Sequence, residues 1–128
     1  MISDSVKNGV IFGCEGPRLT EVEFDFFRDT LPFGFILFSR NIVNAKQVIE
    51  LCKSLRDAVG WHAPILIDQE GGRVQRIRPP LALDRIPPLD EAEKAGRKAK
   101  SIFILRFTAM AKVLISLGID FNCAPVLD

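Results

Sequence analysis

Asp68 and Glu70 stand two residues apart, directly behind an apolar run, in the stretch LIDQEGGRVQRIRPP that covers residues 66–80. In extended chain two residues advance about 6.6 Å and project to the same side. That separation lies at the low edge of the ~6.5–9.5 Å between the acid and base of an inverting glycosidase, so spacing alone admits an acid–base pair. Carboxylates beside arginines are nevertheless more often salt-bridged than catalytic, and Arg73, Arg76 and Arg78 follow closely. Their planar forks bind carboxylates, hydroxyl pairs or phosphates, and Gly71 and Gly72 suit a sharp turn or a close backbone approach. The composition is that of a recogniser of a polar ligand. No GxGxxG or GKS/GKT phosphate cradle occurs, and GCEGP at residues 13–17 does not supply one.

Other reactive residue types are sparse. His62 is the single histidine; it precedes an apolar run, which places it at the stabilising end of a strand, where an ordinary partly exposed imidazole is expected. Asp120 likewise precedes its strand, whereas Asp128 ends that strand on the functional side. Cys14, Cys52 and Cys123 are odd in number, far apart and without a CxxC pair, which argues against a disulfide framework or a zinc site and for buried thiols. Neither a metal nor a cofactor is expected.

The elements that must position the charged stretch follow a βαβα rhythm. Apolar runs at residues 9–13, 34–38, 63–67 and 119–127 do not alternate with polar residues, so each is expected to be buried on both faces, as in a parallel sheet. Between them lie amphipathic segments with helix punctuation. Thr20 with Glu23 forms a capping box, and Leu19 with Phe24 forms a hydrophobic staple. Asn44 with Gln47 repeats the box, ahead of Val48, Leu51, Cys52 and Leu55 on one face and Gly60 as the stop. A third helical region is expected from about Asp90, with Glu93 in the box position, to Leu117 with Gly118 as its cap, and Gly96 divides it. Lys94, Arg97, Lys98 and Lys100 then form a solvated basic face. Residues 69–89 read as an unstructured loop, longer than most connections in compact domains, which makes it either functional or wrongly assigned. Four strands of this kind fit an open doubly wound sheet or the first half of an eight-stranded barrel, and both put the Asp68 loop on the functional face.

Composition narrows the partners. The chain has 128 residues, one domain's worth, with 17 basic and 16 acidic side chains, which leaves no general field for nucleic acid or an anionic membrane. The opening MISDSVKNGV lacks the apolar core of a signal peptide, and no apolar run nears the ~20 residues needed to span a bilayer. A cytoplasmic protein without nucleic-acid or membrane partners is expected.

LIDQEGGRVQRIRPP closely resembles the signature of bacterial glycoside hydrolase family 3 enzymes of the β-N-acetylhexosaminidase type, the cytoplasmic enzymes of peptidoglycan recycling. The likeness extends to GCEGPRLTEVE after the first run, GFILFSRN at the second, RIPP in the loop and FNCAPVLD at the fourth, in family order and over essentially the whole chain. The resemblance implies that residues 1–128 form the N-terminal half of a (β/α)8 barrel domain, truncated after its fourth strand. It implies that Asp68 hydrogen-bonds hydroxyls of an N-acetylglucosamine ring and that Arg76 is its positively charged partner in substrate binding. Glu70 and Arg73 become loop-stabilising, and Arg40 and Asn41 support the barrel mouth. The family's reaction, hydrolysis of terminal β-linked N-acetylglucosamine from muropeptides with retention, uses an aspartate nucleophile and a His-Asp pair that lie beyond APVLD, so no catalytic residue is expected here. A half-barrel leaves open strand edges and an uncovered apolar interior, which suits self-association or a second half-barrel chain. A non-catalytic sugar-binding or assembly half-barrel is the alternative, and a doubly wound nucleotide or flavin binder lacks its phosphate motif.

Overall fold

The computed structural model describes residues 8–126. Its elements run β1 (Asn8–Phe12), α1 (Glu21–Thr30), β2 (Pro32–Leu37), α2 (Ala45–Val59), β3 (Ile65–Ile67), β4 (Gln69–Gly71), β5 (Val74–Gln75), α3 (Pro88–Ala95), α4 (Ala99–Ser116) and β6 (Phe121–Asn122). Strands β1, β2, β3 and β6 form one parallel sheet in chain order, and β4 with β5 forms a separate antiparallel ribbon.

Register assigns the faces. Phe35 pairs with Ile65, and Leu37 with Ile67; all four side chains are fully buried under helices that contribute Phe27, Val48, Leu51, Leu55 and Leu114. Each such aliphatic or aromatic burial is worth about 1.5–3 kcal/mol, so this layer dominates stability. Ile36, Leu66 and Phe121 form the alternate row. That row lies on the opposite face, where Phe121 is 56% and Phe33 50% exposed.

Burial on both faces therefore fails for the outer strands: β1 is exposed along most of its length, and β6 is exposed or half-buried. The cause is the missing layer over the second face, which local hydropathy does not report. β6 is also shorter than the expected 119–127 run. The Asp120 and Cys123 N–H groups still donate to the Ile65 and Ile67 carbonyls at 2.9 and 2.8 Å, but Pro125 has no N–H to donate; Leu127 and Asp128 lie outside the described residues.

Helix ends follow the sequence in part. Thr20 accepts from the Glu23 N–H while Glu23 reaches back to the Thr20 N–H at 3.0 Å, completing the box. Asn44 caps α2 through the Gln47 N–H at 2.9 Å, but Gln47 does not close the reciprocal box. Its side chain is drawn instead to the Val43 N–H and the carbonyls of Asn41 and Pro17. The third region divides at Gly96 as expected, through a 3-10 turn over Gly96–Lys98. Its start differs: α3 opens two residues earlier, with Pro88 in its first turn and no side-chain cap, because proline already presets the helical φ and has no first-turn N–H that needs a partner. Lys94, Arg97, Lys98 and Lys100 are all exposed.

Candidate functional site

Asp68 follows β3 at its carboxyl end, and strand alternation turns it to the uncovered face with Leu66. Arg76, just past β5, brings its Nη2 to within 3.1 Å of Asp68 Oδ2; both side chains are about a quarter exposed. The guanidinium of Arg76 lies 5.5 Å from the centroid of the Phe38 ring, which Arg40 also covers at 4.8 Å. Arg76 Nε is buried with no hydrogen-bond partner among the described residues. Cys123, beyond β6, stands beside this carboxylate; partial burial, the Asp68 charge and a hydrogen bond to Asp68 together raise its thiol pKa. The pair thus presents acceptor and donor side by side at an open sheet end.

The segment carrying Arg76 is not an unstructured loop. Gly71 and Gly72 take positive φ of 107° and 64°, which turns β4 back into β5. The buried amide of Gln69 then takes over where the short ribbon ends: its Oε1 accepts from the N–H groups of Arg76 and Ile77, each at 3.0 Å, and its Nε2 donates to the Ile77 carbonyl at 2.8 Å. Gln75, equally buried, donates to the carbonyls of Ile77 and Leu83 and accepts from the Arg85 N–H. Asn122 on β6 ties the ribbon to the sheet by exchanging hydrogen bonds with the Gln69 backbone at 2.9 and 3.0 Å. Every such contact satisfies a buried backbone group that would otherwise cost about 1–3 kcal/mol. Sequence reading passed over Gln69, Gln75 and Asn122, since polar residues in a loop carry no periodicity and the available signal was two glutamines six apart around a Gly-Gly turn; it also counted Cys123 among the buried thiols, whereas Cys123 is exposed because the second face of the sheet beside β6 is uncovered.

Glu70 and Arg73 do not join the pair. Glu70 turns toward a groove lined by Leu89, Phe103, Phe107 and Val126, and Arg73 is exposed. Arg78 reaches Asp84 at 3.1 Å and the Gly72 carbonyl at 3.3 Å, which braces the turn. Behind β2, Asn41 is fully buried and donates to the carbonyls of Cys14 and Gly16, while Arg40 Nε donates to the Cys14 carbonyl at 3.1 Å. These two residues fix the segment that leaves β1.

The opposite end of the sheet holds a different cluster. Asp120 Oδ2 accepts from Arg56 Nη2 at 2.7 Å and from the Ile65 N–H at 2.9 Å, and His62 Nε2 lies 3.4 Å from Oδ1. Partial burial alone would raise the Asp120 pKa, but the Ile65 N–H, Arg56 and His62 outweigh it and hold the carboxyl below its usual range. His62 itself is 74% exposed, as an ordinary surface histidine. Burial pushes the thiols of Cys14 and Cys52 up to about 11 and about 12, so both are inert in the folded chain. Among the described residues no group of three or more His, Cys, Asp or Glu side chains could hold a metal ion, and no helix is long and apolar enough to cross a membrane.

A parallel sheet with helices on one face and a carboxylate–guanidinium pair beyond its strand ends defines an α/β protein of the class that binds ligands at the carboxyl edge. Known proteins narrow that class. No family model matches the chain. A beta-hexosaminidase of Haemophilus ducreyi is 35% identical over 122 residues, which cover 93% of this chain and 35% of that protein. Among solved structures, NagZ from Neisseria gonorrhoeae in complex with zinc ion superposes with a TM-score of 0.84 at 31% identity, over 95% of this chain and 38% of that one. The same protein in complex with N-trifluoroacetyl-D-glucosamine gives 0.81 at 29% identity, over 95% of this chain and 37% of that one. Over nearly all of its length the chain is thus similar to a part of the β-N-acetylhexosaminidases of glycoside hydrolase family 3. It spans about a third of the length of the curated relatives it matches.

Proposed function

We propose that the chain forms the N-terminal half of a (β/α)8 barrel domain over residues 1–128, and that it supplies part of the sugar subsite of a cytoplasmic β-N-acetylhexosaminidase of peptidoglycan recycling. In this reading Asp68 accepts hydrogen bonds from ring hydroxyls of a terminal β-linked N-acetylglucosamine, and Arg76 orients Asp68 while offering its remaining donors to the sugar. Hydrolysis proceeds with retention, and the nucleophile and acid/base come from polypeptide other than residues 1–128. The observation that carries the reading is the 3.1 Å Asp68–Arg76 pair at the carboxyl end of β3, a quarter exposed and open to a ligand. The relative bound to an N-acetylglucosamine analogue supports the choice of sugar.

A second reading, a non-catalytic sugar-binding or assembly half-barrel, is favoured by one feature: the apolar second face and the two open sheet edges offer a surface for another half-barrel or a second copy. Calorimetric titration with N-acetylglucosamine, with hydrolysis of a chromogenic N-acetylglucosaminide measured on the chain alone and mixed with a second-half fragment, separates the two. Turnover only in the mixture supports the enzyme, and binding by a stable dimer without turnover in either sample supports the assembly module. Asp68→Ala removes a charged acceptor worth about 1.5–3 kcal/mol and should weaken sugar binding by roughly 10- to 150-fold while the fold persists. Parent-like affinity in that variant would refute the assignment, and strong turnover by the chain alone would overturn the placement of the catalytic groups.

A further inference from the structure

Arg106 is the only charged residue between Lys100 and Lys112 on an otherwise apolar part of α4, and its side chain has no solvent exposure. An unpaired guanidinium in such a place costs several kcal/mol. Three groups compensate it: Nη1 donates to the Glu91 carboxylate of α3, and Nη2 donates to the Glu70 carbonyl of β4 and to the Ile86 carbonyl, the latter at 3.0 Å. The guanidinium also fills the space beside Gly71, where a Cβ would overlap Nη2.

These partners are not scattered. Glu70 and Ile86 open and close the excursion that carries Arg76, and Glu70 lies two residues beyond Asp68. One rigid fork therefore pins both ends of the segment to α4. Binding geometry generally has to be held within about 0.5 Å by supporting groups.

We infer that Arg106 is a positioning residue for the Asp68–Arg76 pair, acting through the backbone carbonyls of Glu70 and Ile86; the inference rests on the assignment of that pair to the sugar. Lysine cannot replace it, because a single ammonium lacks the planar fork that reaches two carbonyls and a carboxylate together. A merely structural role predicts something different. Replacing a buried ion pair by apolar residues of similar volume is often neutral for stability, so Arg106→Met combined with Glu91→Leu can keep the fold while removing the pin.

The test uses the 128-residue chain, with N-acetylglucosamine as the probe. The double variant Arg106→Met/Glu91→Leu should unfold near the parent's urea midpoint, bind the sugar about tenfold more weakly and shift the Arg76 guanidinium resonance in nitrogen-15 spectra. Arg106→Lys, which keeps the charge opposite Glu91, should show the same weakening and the same shift, and it decides the matter if the double variant does not fold. Parent-like affinity together with an unmoved Arg76 resonance in either folded variant would overturn the inference. If the parent itself binds no sugar, the sugar assignment fails, and the Arg76 resonance alone still decides whether Arg106 sets the pair.

Discussion

Asp120→Asn isolates the charge of the cluster beneath the sheet. Asparagine keeps the size and one carbonyl oxygen, so the Ile65 N–H can remain bonded, but the Arg56 contact at 2.7 Å loses its ionic partner. Hydrogen bonds to charged groups contribute about 1.5–3 kcal/mol against about 1 for neutral ones, so the expected loss near neutral pH is about 0.5–2 kcal/mol. The Asp120 side chain is 29% exposed, which puts the value toward the lower end. The sign with pH follows from the lowered folded-state pKa. Stability from such a carboxylate is fully present above the unfolded value of about 3.9 and is lost as pH falls through the folded value. Urea unfolding of parent and variant at about pH 7 and about pH 2.5 should therefore give a gap that narrows in acid, and all other carboxylates cancel in the comparison. A gap that persists undiminished at the lower pH would show that size or packing, rather than charge, carries the contact.

Gln69→Leu should cost about 2–4 kcal/mol, because the N–H groups of Arg76 and Ile77 lose their shared acceptor. Urea unfolding reads the loss, and faster amide exchange at those two residues should mark its location. Iodoacetamide at mildly alkaline pH should label only Cys123 in the folded chain, since Cys14 and Cys52 are buried with their pKa raised to about 11 and about 12. Peptide mass spectrometry with and without urea checks the pattern, and equal labelling of all three thiols under native conditions would contradict the burial.

Legibility varied with the kind of information an element needs. The parallel order, the Thr20 and Asn44 caps and the break at Gly96 are local signals, and they were readable because propensity and capping act within a few residues. The neighbourhood of Asp68 and Arg76 was accessible through family likeness, since seven intervening residues with two glycines permit many geometries. The ribbon in residues 69–75 was not readable, because the buried side chains that hold it are glutamines, which look identical to solvated ones in sequence. Arg106 was passed over for the converse reason: a charge on a helix defaults to solvent, and only its isolation in an apolar run set it apart. The exposure of β1 and β6 depends on what covers the second face, a property that hydropathy along the chain does not encode.

The Asp120 cluster and the Asp68 pair occupy opposite ends of the same strands and share no hydrogen bond. Substitutions that retune ligand choice at one end can therefore accumulate without eroding the stability secured at the other. A library confined to the exposed positions Arg73, Leu83 and Cys123 should yield a larger fraction of folded members than an equally sized one at Arg56, Ile65 and Asp120. The short sheet thus separates the positions at which selection can explore from those at which it must conserve.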